Sequence, residues 1–307
     1  MYDDTIDGFV KAGNAKLALL RRAPLGFFVG CMLAGAYIGL GIILILTLGS
    51  HAPPDLRPLV MGAAFGIALI LVVIGGAELF TGHTLIMALR RYRGQGSWAE
   101  AGSVLGVSWV GNLCGAAVLA SLFALGGGGG LLDDPRGLLM DAAAHKMNGA
   151  AASLFARAVL CNWLVCLAVW MSARVSSDSA RCIVISWCLL AFVASGYEHS
   201  VANMTLLLLA LIGHHPDTVS LGGMAWNLAW VTLGNIVGGA VFVAGAYRAA
   251  SPAPVPVPLP TPSPTLSPAS LAASLAGHAV APASPPGATA GRETGTQPIL
   301  DAPAARP

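Results

Sequence analysis

The stretch Ile74-Gly75-Gly76-Ala77-Glu78-Leu79-Phe80-Thr81-Gly82-His83 lies inside an apolar run that extends from 59 to 91. One helix over that run would hold 33 residues. At about 1.5 Å per residue it would overshoot a hydrocarbon core about 30 Å thick. Paired glycines and an ionisable glutamate are also residues that a lipid-embedded helix rejects. The run therefore reads as a membrane helix broken in its middle. A second overlong run, 182–213, carries a similar interruption, Ser195-Gly196-Tyr197-Glu198-His199-Ser200.

The remainder of the chain agrees with a membrane setting. Of its 307 residues 56% are hydrophobic and 10% charged, with a mean hydropathy of +0.74. Soluble domains carry about 25% charged residues, so a cytosolic globular enzyme is excluded, and the apolar content excludes disorder throughout. A net charge of +2 without clustered Lys and Arg argues against a nucleic-acid partner. Spans of sufficient length fall near 25–49, 59–91, 103–126, 151–173, 182–213 and 223–247. Lys11, Lys16, Arg21, Arg22, Arg90, Arg91, Arg93, Arg174, Arg181 and Arg248 fall on one side of such a six-span chain, and Arg57, Arg136 and Lys146 on the other. By the positive-inside rule both termini are cytoplasmic.

Three regions are expected. Residues 1–24 form a cytoplasmic N-terminal segment whose acidic start, Asp3, Asp4 and Asp7, is unlike a cleavable signal. Residues 25–250 form a six-helix transmembrane channel domain. Residues 251–307 hold 14 of the 20 prolines and read as a disordered cytoplasmic tail rich in Pro, Ala and Ser. The six cysteines lie in or beside apolar spans and include no Cys-x-x-Cys pair, so they read as packing residues rather than a disulfide framework.

The spans contain an internal repeat. Halves 25–126 and 151–247 each place Gly-x-Glu at a break (Gly76/Glu78 and Gly196/Glu198) and Gly-Asn-x-x-Gly in the last span (Gly111-Asn112 to Gly115, Gly234-Asn235 to Gly238). Three spans per half require the halves to be inverted in the bilayer, the pattern of transporters and channels whose breaks mark the permeation site. Small-xxx-small spacings at Gly26/Gly30, Gly35/Gly39, Gly62/Gly66, Gly111/Gly115 and Gly234/Gly238 predict close helix crossings.

Within the spans the only acidic residues are Glu78 and Glu198, both at breaks. Each could serve the permeation path, or cap backbone N–H groups of the following half-helix. His199, beside Glu198, suits proton exchange with a passing solute; His83 is a weaker candidate. Thr81 could offer its hydroxyl to a pore. Asn162, inside the fourth span, needs a polar partner, in the pore or on a neighbouring helix. Lys146 reads as a loop lysine, solvated or drawing anions to a pore mouth. The glycine run 126–130 lacks a phosphate-loop ending and reads as a flexible connector. The His214-His215 pair is too small for a metal site, so no metal and no cofactor are expected. Asn203-Met204-Thr205 matches a glycosylation pattern but lies in a span.

Together these residues resemble the formate–nitrite transporter family. The resemblance rests on Gly76-Ala77-Glu78-Leu79-Phe80-Thr81-Gly82, on Gly196-Tyr197-Glu198-His199-Ser200-Val201-Ala202-Asn203-Met204, and on Cys161-Asn162-Trp163-Leu164-Val165-Cys166-Leu167-Ala168. Pro24-Leu25-Gly26-Phe27, the run Ala34 to Leu44, and Trp187 to Phe192 look most like its nitrite-transporting members. The resemblance covers about 1–248 and leaves the tail unmatched. It implies an all-α, aquaporin-like protomer, a 3+3 inverted repeat of six helices with the second and fifth broken. It further implies a homopentamer in a bacterial inner membrane, with a pore in each protomer. By the same resemblance the pathway residues are His199, Thr81, Asn162 and Lys146. Hydrophobic constrictions would fall at Phe65, Leu69 and Leu79 on one arm and at Phe192 on the other. Glu78, Glu198, Asn112 and Asn235 would shape or gate the breaks.

The expected function is transport of nitrite, a small monovalent anion. Either it takes a proton at His199 and crosses as the neutral acid, or it stays charged on donors from Thr81, Asn162, His199 and helix-end N–H groups. Formate or hydrosulfide is the alternative cargo. An enzyme using Glu78, Glu198 and His199 as acid–base groups lacks any cofactor or metal motif. A water or glycerol channel lacks the Asn-Pro-Ala pair. A non-transporting scaffold would depend on the tail.

Overall fold

The computed structural model describes residues 2–251; the expected tail lies, Ser251 aside, outside the described residues. Those residues are helical and contain no strand. The first helix, α1 (Asp3–Arg22), buries the stripe Ile6, Phe9, Val10, Gly13 and Leu17, with Asp3 and Asp4 in its first turn and Arg21 and Arg22 in its last. Spacing and end charges both favour an amphipathic helix. The N-terminal segment is thus an ordered helix packed on the body of the protein.

Among the described residues, five helical segments are long and apolar enough to cross a membrane. They comprise α2 (Pro24–His51), α3 (Arg57–Gly75) with the turn before it, α5 (Trp98–Leu125), α8 (Ala151–Ser172), and α11 (Leu221–Val237) continued through a π-helix (Gly238–Gly245) into α12 (Ala246–Ala250). The run 59–91 is filled by α3 and the shorter α4 (Phe80–Tyr92), and the run 182–213 by α9 (Asp178–Ala194) and α10 (Ser200–Ile212). Short helices α6 (Gly130–Asp133) and α7 (Leu138–Met147) lie between α5 and α8. The residues that follow the glycine run are anchored. Leu131 and Leu132 are buried, and Leu132 O accepts from His214 N at 3.1 Å.

The long helices pack as an open frame, α5 on α2, α2 on α3, α3 on α9, α9 on α8 and α8 on α11. The two short half-helices fill it crosswise. α10 packs on α2 and α5 of the first half, whereas α4 packs on α8 and the π-helix of the second. Every residue of α4 from Phe80 to Arg90 is buried. The long helices instead turn apolar side chains outward, among them Trp187, Leu122 and Leu233, as helices facing lipid do. Each half-helix therefore takes part of its surroundings from the opposite half, with α1 and α5 completing those of α4 and α7 and α11 those of α10.

Helices in lipid gain no hydrophobic drive from meeting each other, so backbone proximity has to hold them. Four of the five glycine pairs supply it. Gly35 and Gly115 bring α2 and α5 together against the carbonyls of Asn112 and Met32. Gly234 and Gly238 bring α11 onto Phe155 O and Val159 O of α8, and Gly62 and Gly66 meet Leu190 and Ser186 of α9. Gly26 meets only Ala23.

A Cβ at Gly115 would overlap backbone atoms of Met32, whereas one at Gly102 meets nothing within 4 Å. Gly115→Ala is therefore expected to lower the thermal unfolding temperature in detergent sharply. Gly102→Ala should raise it slightly, by about 0.5–1 kcal/mol of helix propensity. Equal effects of the two changes would refute the close-crossing account.

Candidate transport site

The breaks are built alike. α3 ends in Gly76 at φ +78°, and Gly196 follows α9 at φ +67°. This left-handed conformation is open to glycine at low cost. It lets the chain turn back so that Ala77 N bonds Val72 O at 3.0 Å and Tyr197 N bonds Phe192 O at 3.1 Å. The next residues run extended to Leu79 and His199, which open α4 and α10.

A broken helix exposes backbone N–H and C=O groups that lipid cannot satisfy. Two asparagines take them. Asn112 Oδ1 accepts from Phe80 N at 2.9 Å, while its Nδ2 donates to Cys31 O (2.7 Å) and Glu78 O (3.0 Å). Asn235 Oδ1 accepts from Ser200 N at 2.8 Å, while its Nδ2 donates to Ala158 O (2.9 Å) and Glu198 O (3.0 Å). Both side chains are fully buried. Capping of the half-helices thus falls to asparagines on α5 and α11, not to the glutamates, whose backbone N–H groups reach Gly30 O and Arg157 O instead.

The glutamate carboxylates face cations. Glu78 Oε2 accepts from Lys16 Nζ at 2.5 Å and sits 2.7 Å from His83 Nε2. Glu198 is buried; its Oε1 accepts from Lys146 Nζ at 2.9 Å and its Oε2 from Asn203 Nδ2 at 2.6 Å. Asn203 continues to Asn227 Oδ1, and Asn227 Nδ2 donates to Lys146 O. Lys146 is therefore an ion-paired residue of helix α7, not a free loop lysine. From sequence Lys16 reads only as an orientation charge and Asn203 only as part of a motif and a chance glycosylation pattern, while Asn227 is not singled out. A shift of 120 residues superposes the two break motifs and pairs His83 with Asn203, the one signal that could have found the latter.

His199 closes the constellation. Its Nδ1 accepts from Ala202 N at 3.1 Å, capping α10. An imidazole nitrogen that accepts carries no proton, so the proton of the neutral ring is on Nε2. Nε2 lies 3.1 Å from Thr81 Oγ1, so the ring donates to the threonine. The histidine of one break thus meets the threonine of the other. A cavity of about 160 Å³ opens against His199, lined by Lys146, Phe65, Phe192, Asn203 and Tyr197 among others.

Phe65 and Phe192 pack edge to face with ring centres 5.6 Å apart, and Phe192 stacks on His199 at 6.0 Å. The expectation that they close separate arms is corrected. α3 and α9 pack together, so both rings line the same cavity. Leu69 and Leu79 are buried and do not line it. Asn162 points its amide into protein, at Asn235 O (2.6 Å), Thr84 Oγ1 (3.0 Å) and Thr81 O (3.3 Å). It binds helices α8, α4 and α11 together. Among the described residues no group of three His, Cys, Asp or Glu could hold a metal.

Comparison with known proteins bears on this arrangement. The family model for the formate/nitrite transporter matches residues 3–249. Over 253 residues the chain is 50% identical to the nitrite transporter NirC of Salmonella typhimurium strain LT2, covering 82% of this chain and 93% of that one. A solved structure described as an FNT family ion channel superposes with a TM-score of 0.80 at 49% identity, covering 81% of this chain and 100% of that one. A pentameric formate channel with formate bound superposes with a TM-score of 0.64 at 30% identity, covering 75% and 98%.

Removing either asparagine leaves the two backbone groups at its break, Phe80 N and Glu78 O or Ser200 N and Glu198 O, without that partner. Asn112→Leu and Asn235→Leu are each expected to cost about 2 kcal/mol or more, at about 1–3 kcal/mol per orphaned group. Thermal unfolding of the purified protein measures this. A loss as small as that of a typical surface substitution would show that the breaks are held by other means.

Proposed function

The chain belongs to the formate/nitrite transporter family, and on that premise we propose that it carries nitrite across a bacterial inner membrane. Each protomer of a homopentamer would hold its own path, with both termini in the cytoplasm. A transporting rather than an enzymatic role is supported by relatives that are themselves named transporters and channels. The pentamer is supported by the assembly described for the formate-bound neighbour, and the orientation by the ten basic residues on one side.

The observation that carries the reading is the 3.1 Å contact of His199 Nε2 with Thr81 Oγ1, joining the starts of α10 and α4 beside a cavity that Lys146 lines. Both half-helices begin there, so the positive ends of their dipoles meet at the pair. An anion drawn in past Lys146 first encounters apolar rings, Phe65 and Phe192, which admit a bare charge only at high cost. Because Thr81 accepts from His199, its own hydroxyl proton is free for an oxygen of the anion. For proton transfer the ring must first take a second proton, on Nδ1, which displaces Ala202 N–H. The imidazolium then gives one proton to nitrite, yielding the neutral acid and restoring the neutral ring. The neutral acid passes the apolar segment without the charge penalty. Asn162 acts here by holding Thr81, and Glu198 by holding Lys146.

Formate is the alternative cargo, favoured by one observation, the formate-bound neighbour; hydrosulfide shares the small monovalent charge.

His199→Asn keeps a side-chain oxygen to cap α10 but no titratable proton. In proteoliposomes, the native protein is expected to take up nitrite faster under an inward proton gradient. The variant should lose about tenfold or more of that stimulated uptake, as an acid–base group does on removal. Undiminished stimulation in the variant would remove His199 from the proton path. No flux of nitrite, formate or hydrosulfide by the native protein would overturn the transport reading.

A further inference from the structure

The two halves repeat each other closely until the last helix. α5 is α-helical from Trp98 to Leu125, whereas its counterpart opens into a π-helix over Gly238–Gly245. π-turns are rare and concentrate at functional sites. This one packs on α4 and α8. At Gly239 a Cβ would overlap Thr84 Oγ1 and lie 2.9 Å from both Asn162 Nδ2 and Cys166 Sγ.

Those three groups form one network. Asn162 Nδ2 donates to Asn235 O at 2.6 Å and to Thr84 Oγ1 at 3.0 Å. Thr84 Oγ1 donates to Thr81 O at 2.7 Å, and Asn162 Nδ2 and Cys166 Sγ lie 3.3 and 3.5 Å from the same carbonyl. Apart from the bond to Asn235 O, every branch ends on the carbonyl of Thr81, the residue whose hydroxyl meets His199. The other half has no such device. The shift that superposes Cys31 on Ala158, the two carbonyls bound by the paired asparagines, places Gly35 and Gly39 at the positions of Asn162 and Cys166. The 120-residue shift likewise places Met204 at that of Thr84.

We propose that Gly239 is a positioning residue for transport. Its missing side chain gives Thr84 and Asn162 room to hold the Thr81 carbonyl, and so sets the Thr81 hydroxyl at hydrogen-bond distance from His199. The π-helix is the backbone form that presents Gly239 to that network. This inference rests on the transport reading above and names a residue that never touches the anion.

The test is nitrite uptake by the full-length protein in proteoliposomes, with and without an inward proton gradient, for Gly239→Ala, Thr84→Val and Thr84→Ser. Gly239→Ala drives its methyl into the Thr84 hydroxyl; Thr84→Val removes that hydroxyl without new bulk. Both should reduce gradient-stimulated uptake by about tenfold to 100-fold, the scale of an ångström-sized misplacement. Both should also flatten the ratio of stimulated to unstimulated uptake, which a merely less stable protein would keep. Thr84→Ser, retaining the hydroxyl, should restore both quantities. If Gly239→Ala does not assemble, Thr84→Val decides alone. Native uptake and native gradient response in both variants would overturn the proposal. Absence of flux in the native protein would instead strike the transport reading on which it rests.

Discussion

A helix cannot stop inside a bilayer unless something answers its last carbonyls and the next helix's first amides. The fold is organised by that constraint. Asn112 and Asn235 each make three hydrogen bonds, one accepted and one donated at a break and one donated to the neighbouring helix. An amide can do both at once because it carries an acceptor and two donor hydrogens. A carboxylate cannot, which explains why the glutamates do not cap. It also explains the close approach of α2 to α5 and of α8 to α11. Each asparagine must reach carbonyls on its neighbour, and glycine at Gly115 and Gly234 lets the backbones come near enough.

Much of this was readable in the sequence, and the unread part has a common cause. Overlong apolar runs interrupted by Gly-x-Glu announce the breaks from local composition alone. The amphipathic stripe of α1 was equally local, yet its destination was not, because Lys16 meets Glu78 across 62 positions of chain. Phe65 and Phe192 were assigned to separate arms because linear order says nothing of α3 packing on α9. The amide of Asn162 could be read as needing a partner, but whether pore or protein supplied it depended on the turn of helix opposite. The tail alternates proline from Pro252 to Pro264 and is otherwise rich in small residues, which gives no helix or strand period to argue from. In each case the sequence carries the chemistry of a residue while the third dimension assigns its partner.

Near-symmetry gives the site its economy of parts, and departures from symmetry give it chemistry. At equivalent places the first break offers Leu79 and Thr81, and the second offers His199 and Val201. Each supplies half of the polar pair that the proposed path uses. The crosswise packing of α4 and α10 brings the halves together, since each short helix packs in part on the other half. The network from Gly239 to Thr81 is a further departure, found on the side where a hydroxyl has to be held and absent where an imidazole is already fixed by capping its own helix.

The glutamates complete the electrostatic argument. An unpaired carboxylate at this depth would repel an anion and would be costly to bury. Glu78 is answered by Lys16 of α1 and Glu198 by Lys146 of α7, in both cases a lysine from a helix outside the membrane-crossing set. With the carboxylates neutralised, the field left at the breaks comes from the helix ends, positive on both sides and too diffuse to trap a monovalent ion. A path for a small anion needs that balance. Attraction must suffice to bring the ion past Phe65 and Phe192, and must be weak enough to release it. On the proposed path, fixed charges in salt bridges and partial charges at helix starts would supply it without a strong binding site.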